Sequence, residues 1–217
     1  MNRFLLFFAC CFLFSLTSCD EDGGTFVGSG NLITETRSLG GFQSVDVSSN
    51  IDVTITSGPF AVEVTTDSNL ADRFMTEVSG GELRVFLRNG NYREATLRAT
   101  ITMPDLEGVG LSGASTAAVT GFAGMDDLRL GLSGASVLTA TGSSAERLDV
   151  TASGASRVNG YELSVSEAEV TISGASTAQL SVSSALDGSV SGASTLRYRG
   201  TPTVDVDVTG SSTARGE

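Results

Sequence analysis

A four-residue sequence, Ser-Gly-Ala-Ser, recurs through the second half of this chain at nearly constant spacing, and that recurrence limits the fold more than any other feature. It occupies residues 112–115, 133–136, 153–156, 173–176 and 191–194, with Thr209-Gly210-Ser211-Ser212 as a degenerate further copy. The steps between copies are 21, 20, 20, 18 and 18 residues. A fixed period in this range belongs to stacked supersecondary units, each burying its neighbour's face, and not to a globular jigsaw.

The residues one and three places before each motif are almost all apolar: Val109 and Leu111, Leu130 and Leu132, Val150 and Ala152, Val170 and Ile172, Gly188 and Val190, Val206 and Val208. The alternation resumes after the motif at Ala117 and Val119, Leu138 and Ala140, Val158 and Gly160, Ala178 and Leu180, Leu196 and Tyr198. Period-two alternation means a strand with one buried face, so each unit is two or three short strands separated by tight bends. Glycine at the bend permits unusual backbone angles and close approach of successive coils. Serines at the same place in each coil stand about 4.8 Å apart, near enough for a hydrogen-bonded ladder.

Helix is nearly excluded by the abundance of β-branched residues, glycine and serine. The one candidate is Leu70 to Glu77, where Asn69 could cap a turn or two. Ahead of the array the alternation persists more faintly, with Val45 and Val47, Val62 and Val64, and Val85 and Leu87 each preceding a polar bend. Residues 28–104 are therefore expected to be degenerate coils or a β-rich cap, and residues 105–217 the regular solenoid.

The start of the chain carries an address. Arg3 precedes an uninterrupted apolar run from Phe4 to Phe14, too short to span a bilayer, so residues 1–18 read as an export signal. Leu16-Thr17-Ser18-Cys19 then resembles the lipobox of bacterial lipoproteins, which makes Cys19 the expected lipidation site and the lipid its link to a membrane. Residues 19–27 form an acidic, glycine-bearing linker. Asp20-Glu21-Asp22 resembles a surface-export signal in Bacteroidetes-type hosts, giving an outer-membrane and cell-surface location, and an inner-membrane retention mark in enterobacterial-type sorting. Cys10 and Cys11 lie within the signal, so Cys19 stands alone and no disulfide staples the fold.

The 198 residues that follow Cys19 (217 − 19) are enough for one sizeable domain. They carry 25 acids against 12 arginines, a net charge of −13, with no lysine, histidine or tryptophan. Such a surface repels nucleic acid and anionic head groups. Without histidine, Gly-Ala-Ser cannot be part of a serine–histidine nucleophile, and the glycines that frame such a motif are missing too. No catalytic residue and no enzyme is expected.

Four residues before each motif the side chain should point outward, and there the chain has Arg129, Asp149, Glu169, Asp187 and Asp205. The four carboxylates, Asp149, Glu169, Asp187 and Asp205, form a candidate cation-binding ladder, with calcium the fitting ion. The competing reading is a solvated acidic face that keeps the protein soluble.

The small matches along the chain add up to a resemblance. Gly28-Ser29-Gly30 with Glu35 and Arg37, Phe42 ahead of Val45-Asp46-Val47, Ile51-Asp52-Val53-Thr54-Ile55, Asp67-Ser68-Asn69-Leu70, Gly80-Gly81-Glu82-Leu83 and the Ser-Gly-Ala-Ser array together resemble the bacterial family called putative auto-transporter adhesin, head GIN domain. The resemblance covers residues 28–213. It implies an all-β fold, a right-handed parallel β-helix (β-solenoid) with coils of about 20 residues, and an adhesive role. It supplies no catalytic residues, and it draws attention to Arg37 and Asp67 as polar positions with either a capping or a functional part. The expected function is a lipoprotein that presents its solenoid to a glycan or a surface protein. Its alternatives are a scaffold without a ligand and a carbohydrate-active enzyme.

The lipobox makes a direct prediction. Cys19→Ala should leave the protein unprocessed or released, and it should take up no fatty-acid label. A variant that still incorporates label and stays with the membrane fraction contradicts the lipoprotein reading.

Overall fold

The computed structural model describes residues 24–217. Cys19 and the expected export signal, residues 1–18, lie outside the described residues. Among the described residues no helix is long and apolar enough to cross a membrane.

The strands fall into two groups. The first is β1 (Thr25–Val27), β2 (Leu32–Arg37), β3 (Ser44–Val47), β4 (Asp52–Ser57), β5 (Ala61–Asp67), β6 (Phe74–Ser79), β7 (Glu82–Leu87), β8 (Asn91–Arg93) and β9 (Leu97–Met103). The second is β10 (Gly108–Leu111), β11 (Thr116–Thr120), β12 (Met125–Leu132), β13 (Val137–Thr141), β14 (Ser143–Ala152), β15 (Arg157–Ile172), β16 (Thr177–Val190), β17 (Thr195–Arg199), β18 (Thr203–Val208) and β19 (Thr213–Gly216). Every pairing within the second group is parallel, and together the strands form a β-solenoid of about 5 stacked turns. Partners across coils are 21 residues apart between β10 and β12 and 20 apart between β14 and β15, matching the motif steps.

The core follows the alternation. Val109, Leu111, Leu130, Leu132, Val150, Ala152, Val170 and Ile172 are all buried, as are Ala117, Val119, Leu138, Ala140, Val158, Ala178 and Leu180. Gly188 and Tyr198 are half-buried, and the last coil departs furthest from the rule, with Val206 half-buried and Val208 exposed, because no further coil covers it among the described residues. Among the described residues all buried apolar side chains lie between Phe42 and Leu196, so residues 24–217 carry a core of their own.

The bends explain the conserved-looking motif within the repeat. Gly113, Gly134, Gly154, Gly174, Gly192 and Gly210 all have φ between 73° and 79°, the left-handed region that costs a side-chain-bearing residue about 1–2 kcal/mol. A second constraint acts from the neighbouring coil. A Cβ on Gly154 would sit 2.4 Å from the carbonyl oxygen of Gly134, which already accepts the Ala155 N–H at 2.7 Å. The same backbone bond repeats from Ala135 to Gly113, Ala175 to Gly154 and Ala193 to Gly174. The coil containing β3 and β4 makes the equivalent bend with Ser49 and Asn50, at φ 71° and 61°, and no glycine.

The serines also form a ladder, although it runs from hydroxyl to backbone and not from hydroxyl to hydroxyl. Ser115, Ser136, Ser156, Ser176 and Ser194, the second serine of each motif, are buried. The Ser156 hydroxyl donates to the Ser153 carbonyl at 2.8 Å, and the Ser176 hydroxyl accepts the Ser156 N–H at 3.3 Å. Ser194 and Ser212 accept from Ser176 and Ser194 in turn.

The first group of strands departs from simple coils. β7 and β9 pair in parallel with β3 and β4, so they form a coil, but one that precedes β3 and β4 in the stack while following them in sequence. Val62 and Val64 do not belong to a coil, because β5 runs antiparallel to both β9 and β2. Only residues 58–60 separate β4 from β5, too few for the dozen or more that a parallel return requires. Antiparallel β6 covers β7 in the same way, so the stack begins under an antiparallel cap. The segment expected to be helical is a 3-10 turn, Ser68–Arg73, after which Phe74 and Met75 enter β6. Leu70 and Phe74 are buried under the cap, and this packing outweighs a weak helical preference.

Gly154→Ala should therefore cost about 2 kcal/mol or more, through backbone strain and the clash with Gly134, and lower the melting temperature by about 4–8 °C. Gly131→Ala, exposed and with nothing within 4 Å of a new Cβ, should stay within about 0.5 kcal/mol of the parent. Thermal unfolding of the pair checks the claim; equal melting temperatures would contradict it.

Candidate functional site

Successive coils repeat their side-chain positions, so any irregularity that recurs from coil to coil becomes a groove along the stack. Met125, Ala145, Val165 and Val182 occupy one such register column, and Ser144, Ser164 and Ser181 the column beside it. With Asp126, Glu146, Ser166, Ser183, Arg199 and Gly200 they line an open depression of about 580 Å³ that crosses from β12 to the end of β17. Its floor is apolar and its walls carry hydroxyls. The end nearer the cap is acidic, and Arg199 closes the other.

Some of the hydroxyls hold the coils together. The Ser144 hydroxyl accepts the Gly124 N–H at 2.9 Å, the Ser181 hydroxyl donates to the Tyr161 carbonyl at 2.7 Å, and that of Ser183 donates to the Val165 carbonyl at 3.3 Å. Ser164 and Ser166 lie between these and face the groove without such bonds among the described residues. A second depression of about 500 Å³ shares Gly124, Met125 and Asp126 with the first and extends it toward the cap, past Asp105, Glu107 and Asp127.

The groove's Arg199 end is built where the repeat shortens. Register shifts between Gly160 and Ser164, and again between Val165 and Glu167, change the step from 20 residues to 18. Tyr161 sits at this step. Its ring lies 4.0 Å from the Arg199 guanidinium, and its hydroxyl donates to Glu217 at 2.8 Å. Arg197 also binds Glu217, at 3.1 Å. Burial raises the Tyr161 phenol above the ordinary range, assisted by the bond to Glu217. The same bond, with the charges of Arg197 and Arg199, lowers the Glu217 carboxyl.

The acidic column is in register as the spacing requires. Arg129 pairs with Asp149, Asp149 with Glu169, Glu169 with Asp187 and Asp187 with Asp205, and all five are exposed. Beside it Arg147 grips Asp127 through two bonds of 2.7 and 3.1 Å, which hold the Asp127 carboxyl below its usual range. Among the described residues no three His, Cys, Asp or Glu side chains converge as metal ligands.

Asp67 and Arg37 have local partners. Asp67 is 1% exposed and accepts the N–H groups of Gly30 at 2.6 Å and Thr96 at 2.8 Å. Asn69 accepts the Ser29 N–H and donates to the Val27 carbonyl. Gly28-Ser29-Gly30 and Asp67-Ser68-Asn69 are thus two halves of one clamp that ties the first strands to the cap. A Cβ on Gly28 would lie 2.3 Å from the Glu94 carbonyl oxygen, so no larger residue fits this clamp without a shift. Arg37 pairs with Glu35 at 2.7 Å.

The contacts of Tyr161 and Glu217 imply a pH window. A lowered carboxyl stabilises the fold above the ordinary glutamate range, and this is lost as pH falls through its folded value; a raised phenol stabilises below the ordinary tyrosine range, and this is lost as pH rises through its folded value. The Tyr161 ring should titrate later than a free tyrosine, and Glu217→Gln should bring it part of the way back, since burial remains. NMR titration of the ring checks this; a titration unchanged by Glu217→Gln would contradict the contact.

The family described as putative auto-transporter adhesin, head GIN domain, matches residues 41–202. No curated protein matches the chain. Several solved structures share the fold at low sequence identity. A putative adhesin from Bacteroides fragilis is 16% identical, with a TM-score of 0.72 over 88% of this chain and 100% of that one. A structure from Parabacteroides distasonis, described as a putative lipid binding protein, is 16% identical with a TM-score of 0.56 over 89% and 99% of the two chains. A putative adhesin from Parabacteroides merdae is 17% identical with a TM-score of 0.54 over 89% and 99%. The match over residues 41–202 spans most of the solenoid and its cap, and the chain belongs to the putative auto-transporter adhesin, head GIN domain family.

Proposed function

We propose that this protein is a lipid-anchored module of the cell surface that binds an extended partner, a glycan or a segment of a surface protein, along the groove from Gly124 to Gly200. The observation that carries this reading is the groove's continuity. It crosses successive coils on the same register columns, so it offers similar contacts about every 4.8 Å to a polymer lying along the stack. Membership of an adhesin family supports a binding or adhesion role and a surface location. Cys19 is the proposed anchor, and the short linker after it keeps the capped end of the solenoid near the membrane.

A carbohydrate-active enzyme is disfavoured on chemical grounds. Glycosidic hydrolysis needs one carboxyl kept protonated by apolar surroundings opposite an ionised one. The groove's acids, Asp126 and Glu146, are both exposed. A scaffold with no ligand accounts for the fold but leaves the unpartnered hydroxyls of Ser164 and Ser166 without a role.

Binding of residues 24–217 to arrays of glycans and matrix proteins, with and without calcium, tests the proposal. Ser164→Trp together with Ser166→Trp fills the groove and should weaken any specific binding at least tenfold, whereas Thr171→Trp, on the acidic face, should leave it unchanged. Binding that survives the filled groove and falls with Thr171→Trp moves the site to the acidic column. No binding to any array member favours the scaffold.

A further inference from the structure

We propose that the open end of the solenoid, formed by β18 and β19, pairs with the same end of a second copy of this chain. The two ends of the stack differ. At the first, antiparallel β2, β5 and β6 cover the coil of β7 and β9. At the other, β18 pairs with β16 and β19 with β17, and their far edges have no partner among the described residues. Those edges present rows of free N–H and C=O groups, a template for a further strand.

The interior is uncovered there as well. Val204 and Val208 continue the inward columns of Leu186 and Val190, which are 0% exposed, yet are themselves 41% and 44% exposed. Val206 and Ala214 are half-buried beside them. These are core positions awaiting another layer.

Charge says which layer fits. The outward positions of β18 are Asp205 and Asp207, and that of β19 is Arg215; none has an ion-pair partner among the described residues. Glu217, the acid nearest Arg215 in sequence, is held by Tyr161 and Arg197. Setting β18 against its own copy would oppose carboxylates. Setting β18 of one copy beside β19 of the other places Asp205 and Asp207 against Arg215, and two-fold symmetry makes this contact twice. A chain of different sequence would have to supply the same acid-and-arginine arrangement in mirror order, whereas a second copy carries it already. This proposal does not depend on what occupies the groove or on the lipid anchor.

The opposing possibility is that the same charges guard the end against pairing, and salt separates the two. Sedimentation of residues 24–217 at micromolar concentration should show a dimer at low salt, with a dissociation constant that rises at least tenfold at 1 M salt as the ion pairs are screened. Arg215→Glu should give a monomer, and adding Asp205→Arg to it should restore the dimer. Parent-like circular dichroism and a cooperative melt show that each variant is folded, the monomeric one melting somewhat lower because it has lost the stabilisation of its partner. A protein that is monomeric at low salt, including one that associates only as salt rises, overturns the proposal. So does a dimer indifferent to Arg215→Glu, which would lie on another surface.

Discussion

Each turn of the stack rests on the carbonyl oxygen of the glycine in the turn before it. That oxygen accepts the next coil's N–H at 2.7 Å from Gly113 through Gly192, and the approach leaves no room for a Cβ. The bends therefore stack at a close approach that holds successive coils in register. The strand before the bend and the strand after it both start from this point, so their apolar positions fall in line from coil to coil. The buried serines on the inner side of the bend satisfy backbone carbonyls and N–H groups there, the Ser156 hydroxyl binding the Ser153 carbonyl and the Ser176 hydroxyl the Ser156 N–H.

This arrangement also explains how a groove arises without a dedicated loop. Once the bend fixes one corner, differences in coil length must be absorbed elsewhere. The loss of two residues per coil appears at Tyr161 to Glu167, opposite no glycine ladder, and there the wall opens into the depression that Arg199 closes. The cap has the complementary task. The Asp67 and Asn69 clamp on Gly28-Ser29-Gly30 anchors the entering chain, and antiparallel strands end the stack on that side. Among the described residues the other side has no such cover.

Much of this was legible in the sequence because one physical rule, alternation on a strand with one wet face, governs most positions. The inward columns from Val109 to Leu180 and the outward column from Asp149 to Asp205 follow from counting by two. Counting back from Ala117 also places Ser115 inward, where its hydroxyl meets the Ser112 carbonyl and not another hydroxyl. The order of the first coils was not legible, since Val62 and Val85 sit in similar alternating runs and only the three-residue link after β4 forces one of them antiparallel. The groove was hidden for another reason. Spacing shows that a coil shortens but not where, and Tyr161 is remote from Arg199 and Glu217 in sequence.

Residue-resolved amide hydrogen exchange tests the central claim most directly. If the glycine carbonyls hold the stack, the N–H groups of Ala155 and Ala175 should be as protected as those of the core strands β14 and β15, exchanging only when the solenoid unfolds as a whole, although both alanines are exposed to solvent. Rapid exchange at these alanines while β14 and β15 remain protected would mean that the bends are ordinary surface turns and that the strands alone keep the register.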